Sequence, residues 1–146
     1  GTFTRVPDRG ELDIDCRLTP RFDAAHAQHV IEDMVRAQDA LYDASLATSI
    51  EWIPGWAAYR VAPSHPVANA LYHAAHDELG AELPRVTAGP SNIGNYLASL
   101  GIPALCGFGV QCAGIHAADE RIELASIAPV YRTYERALCT LLAAAT

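Results

Sequence analysis

Apolar and polar residues alternate strictly over residues 9–18, with Leu12, Ile14, Cys16 and Leu18 on one side and Glu11, Asp13, Asp15 and Arg17 on the other. A period of two over this length predicts a half-buried strand, which Pro20 ends. The period then changes. Behind Asp23, residues Ala27, Val30, Ile31, Met34, Val35 and Leu41 recur every three to four positions. That spacing predicts an amphipathic helix with Asp23 as its N-cap. A second strand is predicted over 48–53, stopped by Pro54-Gly55. Strand, helix and strand, each with one apolar face, make a small α+β lobe.

Pro54, Pro63 and Pro66 punctuate 54–66 and mark a linker, so the expected division is one lobe over 1–60 and a second over 61–146. The second lobe begins with a helix presenting Val67, Ala70, Leu71, Ala74 and Leu79, with Gly80 as its C-cap. A short strand is expected over 85–87. Ser91 or Asn92 caps a further helix that Gly101 ends, 103–108 reads as a buried strand, and 109–118 as a loop. Ser126 opens a long final helix, with Pro129 in its first turn and Tyr131, Tyr134, Leu138 and Leu141 as its inner face. Alternating helix and strand is the order of a parallel α/β sheet covered on both faces, so the expected class is α/β.

Composition narrows the partners. All ten basic residues are arginine and the formal charge is −7. Phosphate binding needs a basic patch, so nucleic acid is not an expected partner. No apolar run is long enough to span a bilayer and none has a signal-peptide pattern. Cys16, Cys106, Cys112 and Cys139 are scattered without CxxC spacing. They read as free thiols of a reducing cytoplasm, three of them buried and Cys112 exposed.

Candidate chemistry centres on the loop GFGVQCAGIHAADERIE, which follows the predicted strand over 103–108. Ligand sites in open α/β sheets lie at such strand ends. His116 stands there among small residues beside Asp119 and Glu120, with room to ligate a metal, although an isolated loop histidine is more often a surface residue. Upstream, the helix start after Gly89 offers backbone N–H groups to a carboxylate or carbonyl oxygen, with an ordinary cap as the plainer reading. His26 and His29 lie one helical turn apart, as do His73 and His76, the latter followed by Asp77. Both pairs read as surface histidines, because a zinc site needs further ligands. His65, in the linker, is expected to be exposed. No His-x-Asp, paired glutamates, GxSxG, P-loop or GxGxxG occurs, so no self-contained catalytic apparatus is visible and no catalytic residue is assigned.

Three segments resemble one family in order and spacing. VPDRGELDIDCRLTP is similar to the signature strand of the lid domain in the dinuclear-zinc aminoacylase, acetylornithine deacetylase, succinyl-diaminopimelate desuccinylase and carboxypeptidase G family. Val6, Pro7, Asp8, Asp15 and Arg17 match, while Thr4 stands where the family usually has Asn. SHPVANALYHAAHDELG resembles the helix that re-enters the catalytic domain. AGPSNIGNYLASLGIPALCGFG resembles the Gly-x-(Ser/Thr)-Asp helix and the strand after it, with Asn92 in place of Asp. GIHAADERIEL resembles the closing signature whose histidine binds zinc.

The resemblance implies part of a lid lobe that dimerises, followed by the C-terminal part of a zinc-exopeptidase-type catalytic domain with a parallel sheet. It implies His116 as a metal ligand, Gly89 and Asn92 at the substrate end of the pocket, and Asp119 or Glu120 as the partner orienting the imidazole. The implied cofactor is a pair of zinc ions, or other divalent metals, and the implied substrate an N-acyl amino acid or short peptide. The remaining ligands and the general base belong to an N-terminal half outside this sequence, so the chain alone is expected to be an inactive fragment. Two alternatives stay open: a non-catalytic homodimerising interaction module, and a small metal-binding protein using His73, His76, Asp77 and His116.

Overall fold

A computed structural model describes residues 9–42, 47–89 and 91–144. The chain divides into two compact units, Gly1–Glu51 and Trp52–Thr146. Of the residues carrying the lid resemblance, Thr4, Val6, Pro7 and Asp8 lie outside the described set.

In the first unit, Thr19 and Phe22 close a tight turn through reciprocal backbone hydrogen bonds of 3.0 and 3.1 Å. Helix α1 (Ala24–Asp39) follows, with Asp23 as the expected N-cap accepting from the His26 N–H. Asp39, at the other end, accepts from both the N–H and the hydroxyl of Thr48 at 2.8 Å, which ties 47–51 to the helix. Only Ala27 of α1 is buried, and Val30, Met34 and Leu41 of the predicted apolar face are exposed.

The second unit is built on two helices, α2 (Pro66–Leu79) and α4 (Ile127–Ala143). Pro66 sits in the first turn of α2, where its missing N–H costs nothing, and Gly80 ends the helix at φ 63° as expected. His65 is half-buried rather than exposed, because its Nδ1 caps α2 by accepting from Val67 N–H at 3.2 Å. The helices meet along Ala70, Ala74 and Ala137, with Leu71 and Leu141 against them. Arg132 reaches Glu78 at 2.8 Å, and Arg136 reaches Asp77 at 3.1 Å and Glu78 at 3.4 Å.

The face that α4 buries is the expected one only at Leu141, which packs at the alanine seam. Thr133 and Ala137 are buried, while Tyr131, Tyr134 and Leu138 remain exposed. Small residues let two helix backbones approach closely, and the Thr133 hydroxyl is satisfied by Pro129 O at 2.9 Å. Tyr134 and Leu138 instead line an open groove beside Val67 and Leu71 of α2.

Helix α3 (Ile93–Ser99) is short and is followed by Gly101 at φ 76°. Beyond it, strands β1 (Cys112–Ala113) and β2 (Arg121–Ile122) pair antiparallel, Cys112 opposite Ile122 and Ala113 opposite Arg121. A 3-10 turn over Leu124–Ser126 leads into α4. Ser126 precedes the helix without capping it; its hydroxyl accepts from Gln111 N–H and donates to Glu123 O.

The strands expected over 9–18, 48–53, 85–87 and 103–108 do not form, and the β1–β2 hairpin is the only sheet among the described residues, so no parallel sheet is present there. A helix satisfies its backbone within itself, whereas a strand must find its partners on a neighbour. In place of strand pairing, Arg85 docks its segment onto α2 by donating to Pro63 O and to Asn69 at 3.2 Å, its guanidinium 4.4 Å from the centre of the Tyr72 ring. Nor is 103–108 buried: Leu105 and Cys106 are exposed. Cys139 is likewise exposed and Cys16 half-buried, so the expectation of three buried thiols is corrected; Cys112 is exposed as expected, and all four are free.

Candidate functional site

His116 lies in the turn joining β1 to β2. Backbone pairing of Ala113 with Arg121 closes the base of this turn, and Glu123 N–H donates to Gln111 O at 2.8 Å just outside it. Within the turn Gly114 adopts φ 72°, and its carbonyl accepts from Ala117 N–H at 2.9 Å. His116 (φ 63°) and Asp119 (φ 62°) are the non-glycine residues with left-handed backbone among the described set. Histidine and aspartate tolerate this region better than most residues, yet each costs on the order of 1–3 kcal/mol unless its surroundings hold it. The hairpin ladder and the Glu120 carboxylate, which accepts from His116 N–H at 3.3 Å, are what hold it here.

The His116 side chain is exposed, and no hydrogen bond or ion pair engages its imidazole among the described residues. The acidic neighbour therefore acts on the backbone of His116 and not on its ring. A neutral imidazole is a suitable zinc donor, but three or four protein ligands are needed. Among the described residues no three His, Cys, Asp or Glu side chains gather to hold a metal ion. The donor chemistry fits a contribution of one ligand from this chain and not a whole site. His73, His76, Asp77 and His116 accordingly do not assemble into the small metal centre entertained above. His76 instead lies 3.7 Å from Asp77 and 3.6 Å from Glu82 at the exposed end of α2, and His29 lies 3.2 Å from Asp33.

Gly89 is exposed, with open space where a Cβ would be. Asn92 is half-buried and forms a capping box with Asn95: Asn92 Oδ1 accepts from Gly94 N–H at 2.8 Å, and Asn95 Oδ1 accepts from Asn92 N–H at 3.1 Å. A neutral amide thus satisfies donors that an aspartate would satisfy with charge. The same helix start is braced from outside by Asn95 donating to Ala57 O at 2.9 Å, by Trp56 packing on Tyr96, and by the Tyr59 phenol lying against Gly94. Tyr59 also contacts Cys106 Sγ at 3.7 Å, and burial, then the thiol, push its phenol above the usual tyrosine range. Periodicity could not have found this bracing, because 56–59 carries no regular pattern.

A groove of about 190 Å³ runs between α2, α4 and 103–108, lined by residues such as Val67, Leu71, Leu105, Phe108, Tyr134 and Leu138. Its walls are largely apolar; Cys106 and Tyr134 are the titratable groups among them, and no carboxylate or imidazole lines it.

No helix among the described residues is long and apolar enough to cross a membrane. The chain is similar to succinyl-diaminopimelate desuccinylase of Bordetella petrii, 32% identical over 122 residues that cover 84% of this chain and 31% of that protein. The protein of the same name from Paraburkholderia xenovorans is 37% identical over 81 residues, 56% of this chain and 21% of the relative. The Bordetella pertussis protein is 32% identical over 109 residues, 75% of this chain and 28% of its own length. The chain therefore spans a third or less of the curated relatives it matches, and no solved structure matches it. The pattern of Peptidase family M20/M25/M40 covers residues 6–140, and the chain belongs to that family.

Proposed function

We propose that this chain is the segment of a zinc-dependent amidohydrolase that supplies one metal ligand, His116, and the substrate-facing residues Gly89 and Asn92. The complete enzyme would cleave an amide bond of an N-acyl amino acid or short peptide. Family membership and the desuccinylase name of the relatives support an N-acyl substrate. The observation that carries the reading is local: His116 is held in a left-handed turn at the end of a closed hairpin, its imidazole unengaged by described residues.

Bound zinc supplies a water acidic enough to be deprotonated near neutral pH and a means of polarising the scissile carbonyl. This chain's part is narrower. His116 offers an imidazole nitrogen donor from a braced loop, and the capped start of α3 holds Asn92 in a fixed conformation near the expected substrate end. The general base and the other metal ligands would come from the part of the protein that this chain does not cover. On this reading 1–60 is part of a lid and 61–146 the C-terminal part of a catalytic domain, in a cytoplasmic enzyme. Homodimerisation through the lid lobe is the second reading, favoured by the exposed Leu12, Ile14 and Met34.

The test is metal analysis of the complete protein carrying His116→Ala. Loss of about one of two zinc ions per chain is expected at a given free-metal concentration, and retention of both would sink the assignment. The isolated chain is expected not to hydrolyse N-succinyl or N-acetyl amino acids at any zinc concentration. Zinc-dependent turnover by it would show that the catalytic apparatus is not elsewhere.

A further inference from the structure

Glu120 occupies a particular place in the His116 turn. Its backbone adjoins Arg121, which the β1–β2 ladder anchors opposite Ala113, and its carboxylate reaches back across the turn to the His116 N–H at 3.3 Å. His116 (φ 63°) and Asp119 (φ 62°) are both held left-handed between these two points. The direction in which a Cα–Cβ bond leaves the backbone is set by φ and ψ, so the conformation at residue 116 decides where the imidazole can reach. An extended backbone at the same position would project it elsewhere.

We infer that Glu120 is a positioning residue for His116. Its carboxylate locks the left-handed backbone of the histidine through the N–H, and so pre-sets the direction of the ring before any metal arrives. This role rests on His116 being a metal ligand. It differs from the usual carboxylate–imidazole contact, in which the acid touches the ring nitrogen opposite the metal. A carboxylate or a primary amide of the same length could serve, because only an acceptor oxygen at that reach is required. Aspartate, one methylene shorter, would fall short.

Two measurements separate this inference from the metal reading beneath it. In the 146-residue chain without metal, amide hydrogen exchange at His116 is expected to quicken about tenfold in Glu120→Ala and Glu120→Asp and to stay near wild type in Glu120→Gln, following loss or retention of one hydrogen bond. In the complete protein, zinc affinity is expected to fall roughly 10- to 100-fold in Glu120→Ala and Glu120→Asp and to be restored within about threefold in Glu120→Gln. Unchanged exchange in the Ala and Asp variants would overturn the contact. Changed exchange with unchanged zinc affinity would overturn its positioning role, as would a Gln variant as weak as Ala. If Glu120→Ala does not fold, the Asp and Gln pair carries the same comparison. Full zinc retention in His116→Ala would instead remove the metal reading while leaving the Glu120 contact intact.

Discussion

At the scale of single residues, the tightest constraint lies at Gly94. It is buried, and a Cβ there would collide with the Tyr59 phenol and lie 2.7 Å from Asn92 Oδ1. Gly94→Ala is therefore expected to lower stability by about 1–3 kcal/mol, the usual cost of overpacking, despite the better helix propensity of alanine. Adding Tyr59→Phe removes the hydroxyl and should recover part of that loss. Urea titration of the single and double variants checks the coupling, and strictly additive effects would rule the clash out. His116 shows a different constraint at the same scale. Its backbone is set by contacts seven and fewer residues away within the hairpin, so it depends little on the rest of the chain.

At the scale of elements, α2 and α4 hold each other through a thin alanine seam and an ionic border. The Glu78 side chain is only 14% exposed and meets both Arg132 and Arg136, whereas Asp77 is 56% exposed and meets Arg136 from solvent. Glu78→Ala should cost about 1.5–3 kcal/mol, because it leaves two guanidinium groups without their less solvated partner. Asp77→Ala should cost under about 1 kcal/mol, as exposed ion pairs do. Thermal unfolding of the two variants gives the ranking, and equal losses would contradict the burial difference. Tyr134 joins α4 to 103–108 by donating to Phe108 O at 2.7 Å, and partial burial pushes its phenol above the usual tyrosine range. A folded pKa above the unfolded one means that the native state holds the proton longer. Its stabilising contribution is complete below about pH 10 and is lost as pH rises through the folded value. Tyr134→Phe should flatten the fall in stability above pH 10, read from urea midpoints at increasing pH.

At the scale of the whole molecule, little apolar surface is covered. The chain exposes 12032 Å², whereas two compact folded pieces of these sizes would expose about 8,700 Å² together. Among the described residues, buried positions are few and small, chiefly alanines, while Leu12, Met34, Ile53, Leu138 and Leu142 are exposed. Under the proposed function these residues would be covered by the part of the protein that this chain does not span. The isolated chain is expected to bind a fluorescent apolar dye and to self-associate in size-exclusion chromatography. Under the proposed function, co-production with the N-terminal half that would supply the other metal ligands should suppress both. A dye-silent monomer would show that the exposed faces need no cover.

What could be read from the sequence follows from where each element finds its hydrogen bonds. Asp23 as N-cap, Gly80 as C-cap, a cap for α3 at Ser91 or Asn92 and the α4 span all depend on residues within a few positions of one another, and periodicity and capping chemistry determined them; the structure chose Asn92 and drew Pro66 from the expected linker into the first turn of α2. The segments over 9–18, 48–53 and 103–108 have strand patterning, but pairing requires neighbours that the described residues do not supply. Tertiary structure alone decided three further matters. It chose the small-residue face of α4 over the Tyr131–Tyr134–Leu138 stripe, because close backbone approach needs small side chains. It placed Tyr59 and Ala57 against the start of α3, contacts that no local pattern encodes. And it put the Glu120 carboxylate on the backbone of His116 instead of its ring, because the hairpin ladder sets how far that side chain can reach.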